Sequence, residues 1–448
     1  MTDKNLSKSD NTGLGFVFLG ILAVSICMLF GIAGAFKYLY PEQLSALEFY
    51  KMRPLHVSLS VSWIFLAAIG GIYHYLPNFC GLQLFSTRAT KVHFWVFLLT
   101  GLAIIGSYFQ GEFGGREYWA YPPIYSIPIF ATWILFGLNF ILTVRRQTGP
   151  WPVYYWMWGT GILFFLITYT EAHLWLIPFF QDNIVRELTV QWKAYGALVG
   201  SWNMLVYGTA LFVMEKIGGD AGIAHSKKAF GLFFLSFVAL LFGWAHHVYP
   251  VGNSEWIRNL AYIVSMTELY ILFKIIWDWR GTLSTYNKCK HMQAYRFIFA
   301  ADIWVLINLI LAIFISIPSA NLLTHGTHIT VAHAMGTTIG INSMILLGSV
   351  FFIIEEKIGS NLEGLSRSSV RYGYWLTNLS LSVFLGSLFM AGIKEGFLEW
   401  DSFYDKAEAV EPQLLVFACS GIFLLIGLWM VLLPALGHLG KILFSKNA

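Results

Sequence analysis

Charged side chains are scarce in this chain of 448 residues. Asp, Glu, Lys and Arg make up only 12% of it, whereas hydrophobic residues make up 57%. Soluble domains carry about 25% charged residues, so a chain of this length with this composition could not cover its surface in water. The composition excludes a soluble multidomain protein and indicates that lipid surrounds most of the chain.

Cysteine is also rare. Cys27, Cys80, Cys289 and Cys419 lie far apart, and none belongs to a Cys-x-x-Cys or Cys-x-x-Cys-His motif. This pattern excludes a disulfide framework, a thiolate zinc site and a covalently attached c-type heme. The net charge of +4 is small for this length, and we expect no nucleic-acid partner.

Long apolar runs dominate the sequence instead. About twenty helical residues cross the hydrocarbon core of a bilayer, and twelve runs reach roughly that length. The predicted spans are 13–37, 55–78, 91–113, 124–146, 151–178, 192–215, 229–249, 257–278, 294–316, 328–354, 372–394 and 412–437. The predicted fold class is an all-α integral membrane protein, with a polar tail at 1–12, a single twelve-helix domain at 13–437 and a second tail at 438–448. The first run has no convincing small-residue cleavage site, so it is interpreted as a retained helix.

The distribution of basic residues predicts the orientation. With the N-terminus placed inside, eighteen Lys and Arg residues fall in inside segments and nine in outside segments. Cytoplasmic loops carry the excess of basic residues in membrane proteins. Both termini are therefore predicted to be cytoplasmic.

Five histidines within the spans are expected to converge on one layer of the membrane. His56 opens the second span, His173 lies late in the fifth, the His246-His247 pair closes the seventh and His333 lies early in the tenth. In the predicted orientation all of them fall toward the outer side. Ionisable residues in a membrane are costly and face a bundle interior or a functional cavity, so the pattern predicts a shared site.

His246 and His247 are candidate metal ligands. Adjacent helical residues project about 100° apart, so both can reach one ion only at a helix end or a distorted turn. Pro250 is expected to provide that end. Neutral imidazole suits iron, copper and zinc, and the alternative is a hydrogen-bonded pair at the interface.

His333, Met335 and His56 are candidate heme ligands. His333 and Met335 lie about 200° apart around their helix, so one helix could serve two cofactors. Histidine and methionine are both axial heme ligands. The alternatives are a packing methionine at Met335 and a snorkelling interfacial histidine at His56.

Two further polar positions remain within the spans. Glu268 lies in the middle of the eighth span, where a bare carboxylate is costly, and a proton-relay role is predicted. Glu171 and His173 form either a second polar cluster or a pair that stabilises itself, and the sequence leaves both open.

In their order and helix placement these residues resemble the catalytic large subunits of the heme-copper oxidase superfamily, closest to bacterial nitric oxide reductases and then to cbb-type oxidases. The resemblance covers most of the chain. The short motifs that carry it are Arg-x-x-His ending at His56, Gly-Arg-Glu-Tyr at 115–118, His246-His247, Glu268, and Thr-His-Gly-Thr at 324–327 leading to Ala332-His333.

The resemblance implies a low-spin heme b that passes electrons to a high-spin heme b facing a non-heme metal, iron in the reductases and copper in the oxidases. His56 matches a low-spin ligand, His333 the high-spin ligand, and His246 with His247 two metal ligands. Glu268 and Glu117 match carboxylates near the metal, the proton route and the heme propionates. His325 is predicted to be cofactor-binding because it lies within the Thr-His-Gly-Thr motif.

Three positions depart from the family pattern. Met335 stands where the family has its second low-spin histidine, Tyr195 where it has the third metal histidine, and Val199 where the reductases have a glutamate. Tyr195 could ligate iron as a phenolate, donate a proton, or be an interfacial aromatic. Tyr195, His173 or water is expected to complete the metal site.

The function implied is that of a divergent nitric oxide reductase large subunit, a heme-dependent oxidoreductase that converts NO to N2O. Its expected electron donor is a membrane-anchored c-type cytochrome or a cupredoxin-bearing subunit. We expect it in a bacterial inner membrane, with the active site toward the periplasmic, outer side. Terminal oxygen reduction is the nearest alternative. A non-catalytic heme relay or NO-binding sensor is another, and a transporter is suggested only by helix count.

Overall fold

The protein is a bundle of long helices joined by short connections. The computed structural model describes residues 11–43, 48–248, 254–358, 365–399 and 401–444. The long helices in these ranges are α1 Thr12–Leu39, α2 Phe49–Phe79, α3 Thr87–Gln110, α4 Ser126–Val144, α5 Val153–Glu171, α6 Ile184–Gly218, α7 Lys227–Phe242, α8 Glu255–Thr282, α9 Met292–Ser316, α10 His328–Ile358, α11 Leu365–Phe397 and α12 Phe403–Phe444. Short helices cover Pro178–Gln181, Thr285–Lys290 and Pro318–Thr324. No strand occurs in these ranges, which confirms the all-α fold class.

Eleven helices of the described chain are long and apolar enough to cross a membrane. Helix α5 is not among them. It has 19 residues, and Tyr and Trp crowd its first half, which lowers its mean hydropathy. The number of twelve spans and the cytoplasmic termini stay predictions.

Helices α6 and α10 form the centre of the bundle. Within each, 83% of the most apolar stretch is buried, compared with 28% in α3 and 29% in α8. Around them, α1 packs against α2 and α12, α11 against α12, α5 against α6, and α8 against α7 and α9. The outer helices therefore expose apolar faces suited to lipid, while α6 and α10 contribute mainly to the interior.

Local capping sets where several helices begin and end. Ser86, Asn183 and Ser226 each accept a hydrogen bond from the backbone N–H three residues later, at the starts of α3, α6 and α7. Such N-caps satisfy amides that have no partner inside the helix. Gly111 and Gly219 end α3 and α6 in the left-handed region, with φ of 80° and 69°.

Helix α10 changes its winding in the middle. Its first turns, His328–Met335, and its last, Met344–Ile358, are α-helical, but Gly336–Ser343 is a π-helix. Ser343 Oγ donates to the carbonyl of Thr338, five residues earlier, at 2.8 Å. Segments of π-helix occur frequently at functional sites, and this one directly follows the candidate heme ligands.

Candidate functional site

One large cavity lies inside the bundle near the end where α2 and α10 begin. Its volume is about 700 Å³, within the 300–1,000 Å³ typical of cofactor and ligand sites. Helices α1, α2 and α6–α12 line it, together with the loop between α3 and α4 and the turn that follows α7. The candidate ligands in its wall are His56, His246, His247, His333 and Met335.

The His56 ring is held in one orientation by α1. Its Nδ1 lies 2.9 Å from the carbonyl oxygen of Cys27. A carbonyl only accepts, so Nδ1 carries the proton and donates, and Nε2 keeps its lone pair. A Cβ on Gly31 would lie 2.7 Å from the ring, so α1 can approach His56 this closely only with glycine there. Metal-bound histidines commonly donate their second nitrogen in this way.

His246 and His247 lie on a tight turn that extends α7. Gly243–His247 is a 3-10 helix, and the two ring centroids are 4.2 Å apart. Both rings line the cavity, and Nδ1 of His246 is buried without a hydrogen-bond partner. The turn provides the local distortion that the sequence argument required for two adjacent ligands. Pro250 lies outside the described residues.

The cavity reaches both faces of α10. His333 and Thr337 line it on one face, and Met335 and Val331 on another. Nδ1 of His333 is buried without a partner, and His333 lies near enough to interact electrostatically with His247. The helix therefore presents one candidate ligand toward the His246-His247 pair and a second one elsewhere in the same cavity.

A carboxylate, a phenol and an amide line the cavity between α6 and α8. Glu268 accepts a hydrogen bond from Ser236 Oγ at 2.7 Å. Tyr207 lies close enough to Glu268 for electrostatic interaction, and Asn203 accepts a hydrogen bond from Asn342 of α10 at 3.2 Å. Sequence reasoning missed Tyr207 and Asn203. Their spacing of four residues, which places both on one helix face, was the available signal.

A strained loop between α3 and α4 brings Glu117 and Tyr118 to the cavity. A Cβ on Gly115 would lie 1.3 Å from the carbonyl oxygen of Trp119, and Tyr118 has a φ of +65°, a conformation that costs about 1–3 kcal/mol. Glu117 accepts a hydrogen bond from Arg53 at 2.6 Å, with both side chains about half exposed. Burial raises the pKa of Tyr118 to about 12, so this phenol is protonated at neutral pH.

Tyr195 and His325 lie beside the cavity and not in its wall. The Tyr195 hydroxyl accepts a hydrogen bond from Gln191 at 3.0 Å, and its ring meets the edge of Tyr118. The His325 ring lies 5.4 Å from that of Trp192, and burial lowers the pKa of His325. Their predicted roles remain predictions, and among the described residues no contact with the His246-His247 pair supports Tyr195 as a ligand.

Glu171 and His173 do not form a pair with each other. His173 Nδ1 donates to the carbonyl oxygen of Tyr169 at 2.7 Å, and its Nε2 accepts from Ser126 Oγ at 2.6 Å. Glu171 pairs with Lys193 instead. Both nitrogens of His173 are occupied outside the cavity wall, so its geometry does not support the predicted completion of the metal site.

The α6 wall opposite the histidine pair is apolar. A Cβ on Gly196 would lie 2.7 Å from His247 Cδ2, and one on Gly200 would lie 2.6 Å from Leu240. Val199 lines the cavity between these glycines. Within the described residues, no group of three His, Cys, Asp or Glu side chains is close enough to hold a metal ion. The His246-His247 pair therefore offers two imidazoles at this position, and its role as a metal site stays a prediction.

Comparison with known proteins identifies the family. The family model of cytochrome c and quinol oxidase polypeptide I matches residues 11–427. The chain belongs to this heme-copper oxidase subunit I family. Members of the family are heme-dependent oxidoreductases that bind hemes and a metal centre.

Several curated proteins are similar to this subunit I homologue along nearly its whole length. A nitric oxide reductase subunit of Stutzerimonas stutzeri is 22% identical, and the matched region covers 92% of this chain and 91% of that subunit. A cytochrome c oxidase subunit 1 homologue of Agrobacterium tumefaciens is 24% identical, with coverages of 96% and 84%. Cytochrome c oxidase subunit 1 of Rhodobacter capsulatus is also 24% identical, with coverages of 92% and 81%.

A solved heme-copper terminal oxidase dimer shares the fold. Its chain superposes with a TM-score of 0.73 at 14% identity, covering 97% of this chain and 84% of its own. At this identity the likeness concerns the fold alone.

The heme-copper oxidase cavity in this chain fits hemes better than it fits the metal. His56 has a free Nε2, and His333 has a buried nitrogen without a partner, which are the donors that heme iron requires. At His246 and His247, the described residues offer two imidazoles and no third donor of the usual types. A metal held here would need water or substrate to complete its coordination.

Proposed function

We propose that this protein is a nitric oxide reductase large subunit. The observation that carries the proposal is one cavity whose wall holds His56, Met335, His333 and the His246-His247 pair. The similarity to the nitric oxide reductase subunit of Stutzerimonas stutzeri, over 91% of that protein's length, supports NO as the substrate. Two NO, two electrons and two protons would give N2O and water.

The chain offers separate ligands for each cofactor. His56 and Met335 would hold a low-spin heme b, His333 a high-spin heme b, and His246 with His247 a non-heme iron. Bound there, the hemes supply electron transfer and the iron supplies a Lewis acid that polarises NO. The two imidazoles leave positions open for substrate.

The protein itself would manage protons and exclude water. Glu268, positioned by Ser236, would deliver protons to the reacting oxygen, since a bound carboxyl group can act as a general acid. Asn203 and Tyr207 add polar groups on the same side of the cavity. The apolar wall of Gly196, Val199 and Gly200 suits a small uncharged gas and gives it no competing ligand.

The electron donor would be a membrane-anchored c-type cytochrome or a cupredoxin-bearing subunit. The chain has no Cys-x-x-Cys-His motif of its own, which supports a separate protein with a c-type heme or a copper centre as the source of electrons. Purification under mild conditions should recover this subunit. Full turnover with physiological donors by the lone polypeptide would contradict the proposal.

The proposed location is a bacterial inner membrane, with the cavity near the periplasmic side. The distribution of basic residues supports this side, because it predicts that α2 and α10 both begin there. Donors that cannot cross the membrane should therefore reduce the protein in right-side-out vesicles, whereas reduction only in inverted vesicles would place the site on the other side.

Heme and metal stoichiometry tests the proposal first. We expect two b hemes and one iron per chain, NO consumption with an artificial donor, and no comparable O2 consumption. His56→Ala should lose one heme, whereas His173→Ala, which alters a histidine outside the cavity wall, should keep both. O2 reduction in place of NO reduction would identify a terminal oxidase, which the similarity to cytochrome c oxidase subunits favours.

A non-catalytic heme relay or NO-binding sensor is the other candidate. The absence of a third described metal donor beside His246 and His247 favours it. Metal analysis separates the two functions, because a relay needs hemes but no stoichiometric second metal. Hemes without that metal, and without NO turnover, would establish the relay.

A further inference from the structure

A histidine and a glutamate meet at the edge of the cavity where α10 begins. Nδ1 of His328 lies 2.9 Å from Oε2 of Glu395 on α11, and the same oxygen accepts a hydrogen bond from the His328 backbone N–H at 2.8 Å. The side chains are 21% and 10% exposed. His328 lines the cavity, so its ring lies between a carboxylate and the space for cofactors.

The packing of α11 fixes this pair in place. A Cβ on Gly392 would lie 2.3 Å from the backbone nitrogen of Ile329, and one on Gly396 would lie 2.1 Å from the carbonyl oxygen of Leu323. The backbone of α11 therefore contacts the backbone at and before the start of α10 on both sides of Glu395, at Gly392 and at Gly396. The backbone of Glu395 is therefore fixed relative to the start of α10.

His328 lies on the same face of α10 as Met335. Seven residues separate them, which is two turns and about 10.5 Å of helix. His333, five residues away, lies about 140° around the helix. His328 therefore lines the same cavity as His56 and Met335, two turns nearer the end of the bundle where α2 and α10 begin.

The charges around His328 come mainly from two neighbouring helices. Glu395 of α11 faces it directly, and Lys406 of α12 interacts electrostatically with Glu395. Lys394 donates to the carbonyl oxygen of Ala409 and to Gln413, toward α12. Across the cavity mouth, Arg53 pairs with Glu117.

The other elements packed here present uncharged groups. Helix α9 contributes Ala312 and Ser316 to the cavity wall, and the short helix Pro318–Thr324 contributes buried Asn321 and Thr324. His325 follows that helix directly. Glu395 is thus the acid in contact with the His328 ring among the described residues.

We infer that His328, held by Glu395, is a proton-accepting site coupled to the low-spin heme. The inference rests on the proposed heme site at His56 and Met335. If a heme held there gained one electron from the donor, His328 Nε2 would take one proton from water at this end of the bundle, and reoxidation would release that proton by the same route. Glu395 and the negative charge that reduction adds to the cavity would both stabilise the imidazolium.

The test is the pH dependence of the low-spin heme potential, measured by redox titration of the purified protein in detergent. Where one proton accompanies one electron, the potential should fall by about 59 mV for each tenfold fall in proton concentration. His328→Gln should flatten this dependence at unchanged heme content. His291→Gln, which alters a histidine beside Glu356 at the opposite end of the bundle, should leave it unchanged.

Glu395→Gln keeps an oxygen for the His328 backbone N–H but removes the charge. This substitution should move the pH-dependent range of the potential to lower pH. If the His328→Gln variant fails to bind heme, the Glu395→Gln variant tests the inference in its place. A wild-type pH dependence in heme-loaded His328→Gln, or an unshifted pH-dependent range in heme-loaded Glu395→Gln, would overturn the inference. If the potential of the wild-type low-spin heme does not vary with pH, this inference is wrong but the proposed function still stands. If the low-spin heme is absent, the proposed function is wrong as well.

Discussion

At the scale of single residues, Glu268 is the clearest candidate for a proton donor. Its carboxyl group lines the cavity and is positioned by Ser236. Glu268→Gln should slow NO consumption by about 10²–10⁴-fold, the usual contribution of general acid–base catalysis, at unchanged heme content. The rate is measured with an NO electrode.

Glu356→Gln is the control for Glu268, since Glu356 lies at the opposite end of the bundle beside Lys290. It should turn over at the wild-type rate. Equal loss of activity in both variants would point to a general defect of folding or assembly. A fully active Glu268→Gln variant would mean that protons reach the cavity by another route.

Met335 is the residue whose role the sequence left most open. It lines the cavity with His56, and a thioether ligand raises the heme potential relative to a second imidazole. Met335→His should therefore lower the midpoint potential of the low-spin heme while keeping it six-coordinate. Redox titration followed by absorption spectroscopy measures this.

Met344→Leu is the matched control for Met335, because Met344 is a fully buried methionine of α10 outside the cavity wall. Its heme spectra should match the wild type. If Met335→Leu also leaves spectra and potential unchanged, Met335 is a packing residue and the ligand is a different group.

At the scale of elements, the glycines of α6 determine how closely the histidine turn can approach. A Cβ at Gly196 would overlap His247, so Gly196→Val should displace the 3-10 turn Gly243–His247 and reduce metal content. Overpacking of this kind costs about 1–3 kcal/mol of stability. Gly101→Val on α3, where nothing lies within 4 Å of the added Cβ, should retain its metal.

Metal analysis by mass spectrometry, together with thermal unfolding, separates the two effects expected for Gly196→Val. Loss of stability with full metal content would mean that the turn relaxes without releasing the ion. Loss of metal at wild-type stability would mean that the positions of His246 and His247 are more sensitive than the fold.

At the scale of the whole molecule, orientation is the prediction with the widest consequences. The twofold excess of basic residues predicts that both termini are cytoplasmic. A reporter that is active only in the cytoplasm should give a signal when it is fused after residue 448. The same reporter inserted in the loop at 111–122 should give none. The reverse result would invert the membrane side of the cavity and of its proton supply.

The sequence by itself determined the fold class and the candidate ligands. Apolar runs of about twenty residues have one stable arrangement in lipid, because every backbone group must pair internally. Depth along the spans then marked His56, His173, the His246-His247 pair and His333 as residues of one shared site. These inferences needed only local composition and depth along each helix.

The tertiary structure decided which of the polar residues share the cavity. His173 had the same predicted depth as the others, but its two nitrogens are used by Tyr169 and Ser126. Tyr195 is turned toward Gln191, and the His328–Glu395 pair joins residues 67 positions apart in sequence. Hydropathy and charge are properties of each segment alone, whereas these contacts depend on which helix faces meet, and close glycine packing between helices fixes that.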